Sequence, residues 1–238
     1  EAVNVPDGVY AFMDMVGSAT IRKNFIPRDY FFILNLCHQI AADSAAEFLC
    51  RVDNFIGDCV FIQNASPFDS KQGPIALNLE ERLMLMVFVL SSIFNQISLL
   101  KKGKHPIDKD GLAGRLMQQA GCSVNFRAGL EIGAAMVGPL GSDRRKVVTA
   151  IGKSVNNASR LESSGRKNHI HIGKKVLQIL DNAYLSKDTQ LLWQAVSRRL
   201  NFDNDETIRT VRFWDAYRNF FSLDADVYIE QKDVTYKE

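Results

Sequence analysis

The sequence is poor in the features that mark a metal cage, an exported scaffold or a charge-driven partner. Cys37, Cys50, Cys59 and Cys122 show neither a CxxC nor a Cys/His ligand spacing, which argues against a zinc ribbon and suits a reducing cytoplasm. His38, His105, His169 and His171 are equally scattered. None belongs to an HExxH, and the last two alternate within HIHIG as a strand would place them, so no zinc site is expected. Lys and Arg total 29 against 27 Asp and Glu, a net charge of +2, so nothing demands nucleic acid or an anionic membrane as partner. No basic segment followed by an apolar one opens the chain, and no export is expected. The longest apolar run, Leu83 to Leu100, contains Ser91, Ser92, Asn95, Gln96 and Ser98, which makes it a buried amphipathic helix rather than a membrane span. Internal repeats and low-complexity blocks are absent.

What remains is an ordinary globular composition over 238 residues, enough to bury a real core in one domain. Val9 to Val16 is a buried apolar strand with one acid, Asp14, near its end. A lone carboxylate in such a run is costly unless a metal or an arginine satisfies it. The turn that follows, Gly17, Ser18, Ala19 and Thr20, offers backbone N–H groups at a helix start, a seat for phosphate. Pro27 to Leu49 has apolar residues at helical spacing, Phe31, Ile33, Leu34, Leu36, Cys37, Ile40 and Ala41, and reads as a long helix. Arg51 to Gln63 reads as a hairpin turning at Gly57-Asp58. Asn64 to Pro74 is a loop, Leu77 to Leu100 a second long helix and Lys101 to Gly121 a surface segment.

Val124 to Leu140 reads as two strands joined near Gly133. Val147 to Ile151 is a β-branched strand that Gly152 ends, and Ser154 is a plausible N-cap for a helix through Leu161. On it Asn156 and Arg160 stand at i and i+4, with Cβ atoms about 5–6 Å apart, a spacing suited to gripping a planar or phosphorylated ligand. His169 to Gly173 is a short strand and Lys174 to Asn182 a helix. Beyond them come a helical piece around Leu191 to Leu200 and strand-like Thr207 to Trp214 and Val227 to Glu230. Two long helices with hairpins, rather than strict alternation, predict an α+β fold, a mixed sheet with long helices on one face.

Four blocks, FMDMVGSAT from Phe12, IGDCVF from Ile56, FRAGLEIGAAMVGPLG from Phe126 and VVTAIGKSVNNASRLE from Val147, resemble in order and spacing the signature blocks of the class III nucleotidyl cyclase catalytic domain. The resemblance spans Val9 to about Leu180. It implies a ferredoxin-like cyclase domain over 1–238, with a signature core over 9–180 and a C-terminal extension over 183–238. It further implies that Asp14 and Asp58, with the Met15 carbonyl, hold two divalent cations per site, Mg²⁺ or Mn²⁺, on the substrate triphosphate. A triphosphate of about −4 with two such ions and two carboxylates leaves about two negative charges uncompensated, which calls for a further cation. The arginine matching Arg160 stabilises the transition state in the family and the asparagine matching Asn156 orients the ribose. Both come from the other protomer, so a homodimer with two shared interfacial sites is implied. Arg209 and Arg212 lie near where the family often has a phosphate-binding cation, with too loose a match to choose between them.

Departures from the pattern bear on the substrate. Purine cyclases of the family carry a lysine or glutamate where this chain has Asn54, and the second base-reading position falls on Thr149. An asparagine amide both donates and accepts, so Asn54 matches the edge of uracil or, flipped, of cytosine, without excluding adenine. In this the chain looks most like the bacterial pyrimidine cyclases of Pycsar anti-phage systems, which make cyclic UMP or cyclic CMP for a separate effector. That implies a cytoplasmic enzyme on UTP, slightly favoured over CTP. The alternatives are an adenylyl cyclase with a divergent base pocket and a catalytically inactive nucleotide-binding or dimerisation module.

Overall fold

The computed structural model describes residues 1–65, 78–185 and 228–231. The Leu191 to Leu200 and Thr207 to Trp214 segments, Arg209 and Arg212 lie outside them. The chain runs β1 (Val3–Met15), α1 (Ser18–Ile21), α2 (Pro27–Glu47), β2 (Arg51–Ile56), β3 (Cys59–Asn64), α3 (Leu79–Lys101) and α4 (Leu112–Gln119). It continues with β4 (Phe126–Ser142), β5 (Arg145–Ile151), α5 (Lys153–Ser163), β6 (His169–Ile172), α6 (Lys174–Leu185) and β7 (Tyr228–Gln231). The sheet order is β2-β3-β1-β4-β6-β7, with β5 pairing the far half of β4. Strands β1 to β5 pair antiparallel, whereas β6 lies parallel to β4 and β7 parallel to β6. This is the expected α+β class with a mixed sheet.

Alternation along β1 sorts the two faces. Val9, Ala11, Met13 and Met15 point into the main core with Ile33, Cys37, Ile40 and Ala41 of α2, the apolar face of α3, and Val176 and Leu180 of α6. Phe31, at a helical apolar position, is exposed instead. Tyr10 and Phe12 point the other way, where Phe12 stacks on Phe61 with centroids 4.4 Å apart and Val155 and Ala158 of α5 complete a second core. The long helices thus share one face, and α5 has the other.

Helix α3 begins with a reciprocal cap. The Glu81 N–H donates to the Asn78 side chain at 2.8 Å, and the Asn78 N–H donates to the Glu81 carboxylate at 2.9 Å. It is long and apolar enough to cross a membrane, yet 83% of its most apolar window is buried in the protein. Its polar residues have partners inside the fold, since Gln96 donates to Ser44 of α2 at 2.9 Å and meets His105 at 2.9 Å. That makes it a core helix.

Three sequence expectations are corrected. The stretch Lys101 to Gly121 is not all surface, because α4 buries Ala113, Gly114 and Met117. A buried Asp108 accepts from the Leu112 and Ala113 N–H groups at 2.9 and 2.8 Å and so starts that helix. Strand β4 is one strand, not two. Gly133, at φ +146°, carries it through the bend opposite Gly8 of β1. Finally, α5 begins at Lys153 after an extended Gly152, with no side-chain cap. Ser154 packs on Gly133, so close that a Cβ there would lie 2.3 Å from its hydroxyl.

Candidate active site

Asp14 ends β1 on the α5 face, and the β2–β3 turn carries Asp58 to the same end of the sheet, after Gly57 at φ +65°. The sequence demanded a metal or an arginine for Asp14, and the structure supplies an arginine. Arg127 pairs in register with Asp14 across β1 and β4. Its guanidinium lies 3.7 Å from the Asp14 carboxylate and 2.7 Å from that of Glu162 on α5. Glu162 is buried at 5% exposure, so this cation joins the two acids that close the floor of the site. Neither Arg127 nor Glu162 was singled out from the sequence.

Even so, Asp14 is held far from its ordinary behaviour. Burial, then the carboxylates of Asp58 and Glu162, push its pKa up to about 6, against the opposing pull of Arg127 and the Met15 amide. One oxygen of Asp58, Oδ2, is buried with no hydrogen-bond partner. A raised carboxyl beside an orphaned carboxylate oxygen is what a pair of hard-cation ligands looks like without its ion, so these residues fit divalent metal. Among the described residues no three His, Cys, Asp or Glu side chains form a metal cluster. Tyr30 donates to the Met15 sulfur at 3.9 Å, and burial followed by the Asp58 charge raises its hydroxyl pKa. His38 stacks on Phe55 at 4.3 Å beneath the Asp58 hairpin, and burial lowers its pKa. The turn after β1 becomes a helix of only 4 residues. Within it Thr20 spends its N–H on the Gly17 carbonyl at 2.9 Å.

The base-reading candidates lie where β2 and β5 converge. Asn54 is exposed opposite Phe61. The Thr149 hydroxyl donates to Asp53, the residue before Asn54, rather than to Asn54 itself. The remaining candidates stand on α5. Its Val155, Ala158, Leu161 and Glu162 are buried toward the sheet, whereas Asn156 and Arg160 are exposed on the outer side.

These features place two carboxylates, a glycine-led turn and an outward Asn/Arg pair around one sheet. A family model described as "Adenylate and Guanylate cyclase catalytic domain" matches residues 8–194. The chain belongs to that family. This cyclase domain shares its fold with the adenylyl cyclase CyaB from P. aeruginosa at TM-score 0.63, with 21% identity over 76% of this chain and 83% of that one. Against the guanylate cyclase domain of RhGC from Catenaria anguillulae, solved in complex with GTP, the TM-score is 0.59, with 21% identity over 77% and 87%. A rhodopsin-guanylyl cyclase core with converted specificity, solved with ATPalphaS, gives 0.58, with 22% identity over 76% and 84%. No curated protein matches. The protein is therefore a class III nucleotidyl cyclase catalytic domain with mixed sheet and helices as expected, in a family that uses divalent metal ions.

Proposed function

We propose that this cyclase converts a pyrimidine nucleoside triphosphate, UTP ahead of CTP, to the 3′,5′-cyclic monophosphate and pyrophosphate. The observation that carries the cyclase reading, as a site shared between two chains, is the direction of side chains on α5. Glu162 faces inward to Arg127 and its own Asp14, while Arg160, two residues earlier and about 200° around the helix, faces outward with Asn156. One protomer thus presents its carboxylates and its Asn/Arg pair in different directions, and a second copy facing it head-to-tail completes each site.

In that homodimer Asp14, Asp58 and the Met15 carbonyl would hold two divalent ions, Mg²⁺ or Mn²⁺. Bound there, the metal supplies Lewis-acid neutralisation of the triphosphate and lowers the pKa of the ribose 3′-hydroxyl. The amides of Gly17, Ser18 and Ala19 anchor the phosphate chain, while Thr20, whose N–H goes to the Gly17 carbonyl, closes the turn that presents them. The partner's Asn156 orients the ribose so that O3′ meets the α-phosphorus as the bond to pyrophosphate breaks, and Arg160 offsets the charge that grows on the transferring oxygens. Asn54 and Thr149 read the base. Asn54 supports a pyrimidine because it stands where the purine cyclases carry a lysine or glutamate, and its amide pairs with the donor and acceptor side by side on uracil or cytosine, an edge that adenine shares. We place the product as a cytoplasmic second messenger of anti-phage defence, acting on a separate effector.

The test is incubation of purified protein with ATP, GTP, CTP and UTP plus Mn²⁺, with products identified by mass. Cyclic UMP or cyclic CMP as the main product is expected. Cyclic AMP as the main product would contradict the pyrimidine reading, and no product from a folded dimer would contradict the enzyme itself.

A further inference from the structure

The polar cluster between β2 and β5 contains one residue more than the base-reading pair accounts for. Strand β2 pairs Val52 with Ile62 and then Asn54 with Phe61, so Asp53 is the extra residue of a β-bulge. A bulge sets two neighbouring side chains toward one face, and here Asp53 and Asn54 share the face of Phe61. Both carboxylate oxygens of Asp53 are fixed. Gln63 Nε2 donates to Oδ1 at 2.5 Å, and the Thr149 hydroxyl donates to Oδ2. Gln63 is fully buried, and its own Oε1 is buried without a partner. A buried amide left half unsatisfied so that its other end can hold a half-buried carboxylate makes sense if the carboxylate has a task. Arg51 adds a bond from its guanidinium to the Val148 carbonyl at 3.4 Å, tying the two strands together at this point.

Building on the nucleotidyl cyclase reading, we propose that Asp53 is a specificity-determining residue whose carboxylate, pre-set by Gln63 and Thr149, accepts a hydrogen bond from an N–H on the edge of the substrate base. Each of its oxygens has a lone pair left after the bonds just described. The exposed Asn54 amide beside it donates to the adjacent position. Together they read a donor next to an acceptor: N3–H beside O4 in uracil, or the N4 amino group beside N3 in cytosine. Thr149, its proton committed to Asp53, faces the ligand as an acceptor. Burial raises the pKa of the Asp53 carboxyl, while the Thr149 and Gln63 bonds pull the other way, which fits a charge that awaits a further donor.

The competing account is that Asp53 only ties β2 to β5. Steady-state kcat/KM for ATP, GTP, CTP and UTP separates the two in wild type, Asp53→Leu and Asp53→Asn. Expected for Asp53→Leu is a loss of about tenfold or more on the preferred triphosphate and little on the poorest, so that discrimination collapses. Asp53→Asn, which keeps one acceptor oxygen, falls between and still changes the ranking by about threefold or more. Should the leucine variant fail to fold, the asparagine variant alone is decisive. Equal proportional losses on all four triphosphates, or no loss, would overturn the inference while leaving the cyclase intact. A wild type that cyclises none of the four would overturn both readings.

Discussion

Arg127 and Asp14 show how much of this site depends on single side chains meeting across the sheet. Asp14 is an ionisable group kept where ionisation is resisted, with a pKa of about 6 against an ordinary 3.8. The sign follows directly. The folded state binds this proton more tightly than the unfolded state, so stability is favoured below about pH 4 and that advantage is lost as pH rises through about 6. In metal-free protein, Asp14→Asn should therefore gain thermal stability relative to wild type on going from pH 4 to pH 8. A difference in Tm that does not vary with pH would mean that the carboxylate is not strained. The sequence revealed the need at Asp14, since an acid in an apolar strand must be answered. It did not reveal that Arg127 answers it, because that pairing is set by the register of β1 on β4, two strands far apart in the chain. Asp53 stayed hidden for a similar reason. Its neighbour Asn54 occupies the base-reading position of the family pattern, and only the bulge brings Asp53 to Thr149.

At the scale of elements, the placement of α5 depends on two glycines of β4. A Cβ at Gly129 would lie 2.2 Å from both the Ala158 carbonyl and the Glu162 amide, and one at Gly133 would collide with Ser154. The helix therefore lies almost on the strand backbone, with positions 154, 158 and 162 aligned over it. Gly129→Ala must lift α5, and with it Arg160 and Asn156. Urea unfolding should show a loss of about 2–3 kcal/mol, together with a fall in turnover. Unchanged stability would mean that α5 can shift without cost. Elements with local signals were readable in advance: the hairpin at Gly57-Asp58, α2, and the strand before Gly152. Those decided by distant contacts were not. Gly133 reads as a break in isolation, yet pairing with Gly8 carries β4 through it, and α4 is recognisable only from the buried side chains beneath it.

At the scale of the whole molecule, the protein is a cyclase domain, and on the proposed reading its protomer separates the two halves of the chemistry. The carboxylate end of the sheet and the outer side of α5 face different ways, so catalysis on this account belongs to a pair of chains. A mixed dimer of Asp58→Ala and Arg160→Ala protomers contains one site with both lesions and one with neither. Each variant alone should be inactive, with losses on the order of a hundredfold or more. Mixing the two under conditions of subunit exchange and assaying the preferred triphosphate is the most direct measurement. The account predicts that activity returns to about a quarter of the wild-type level, as half of the dimers then carry one of two sites intact. Activity that stays at the level of the separate variants, although the chains exchange, would contradict it.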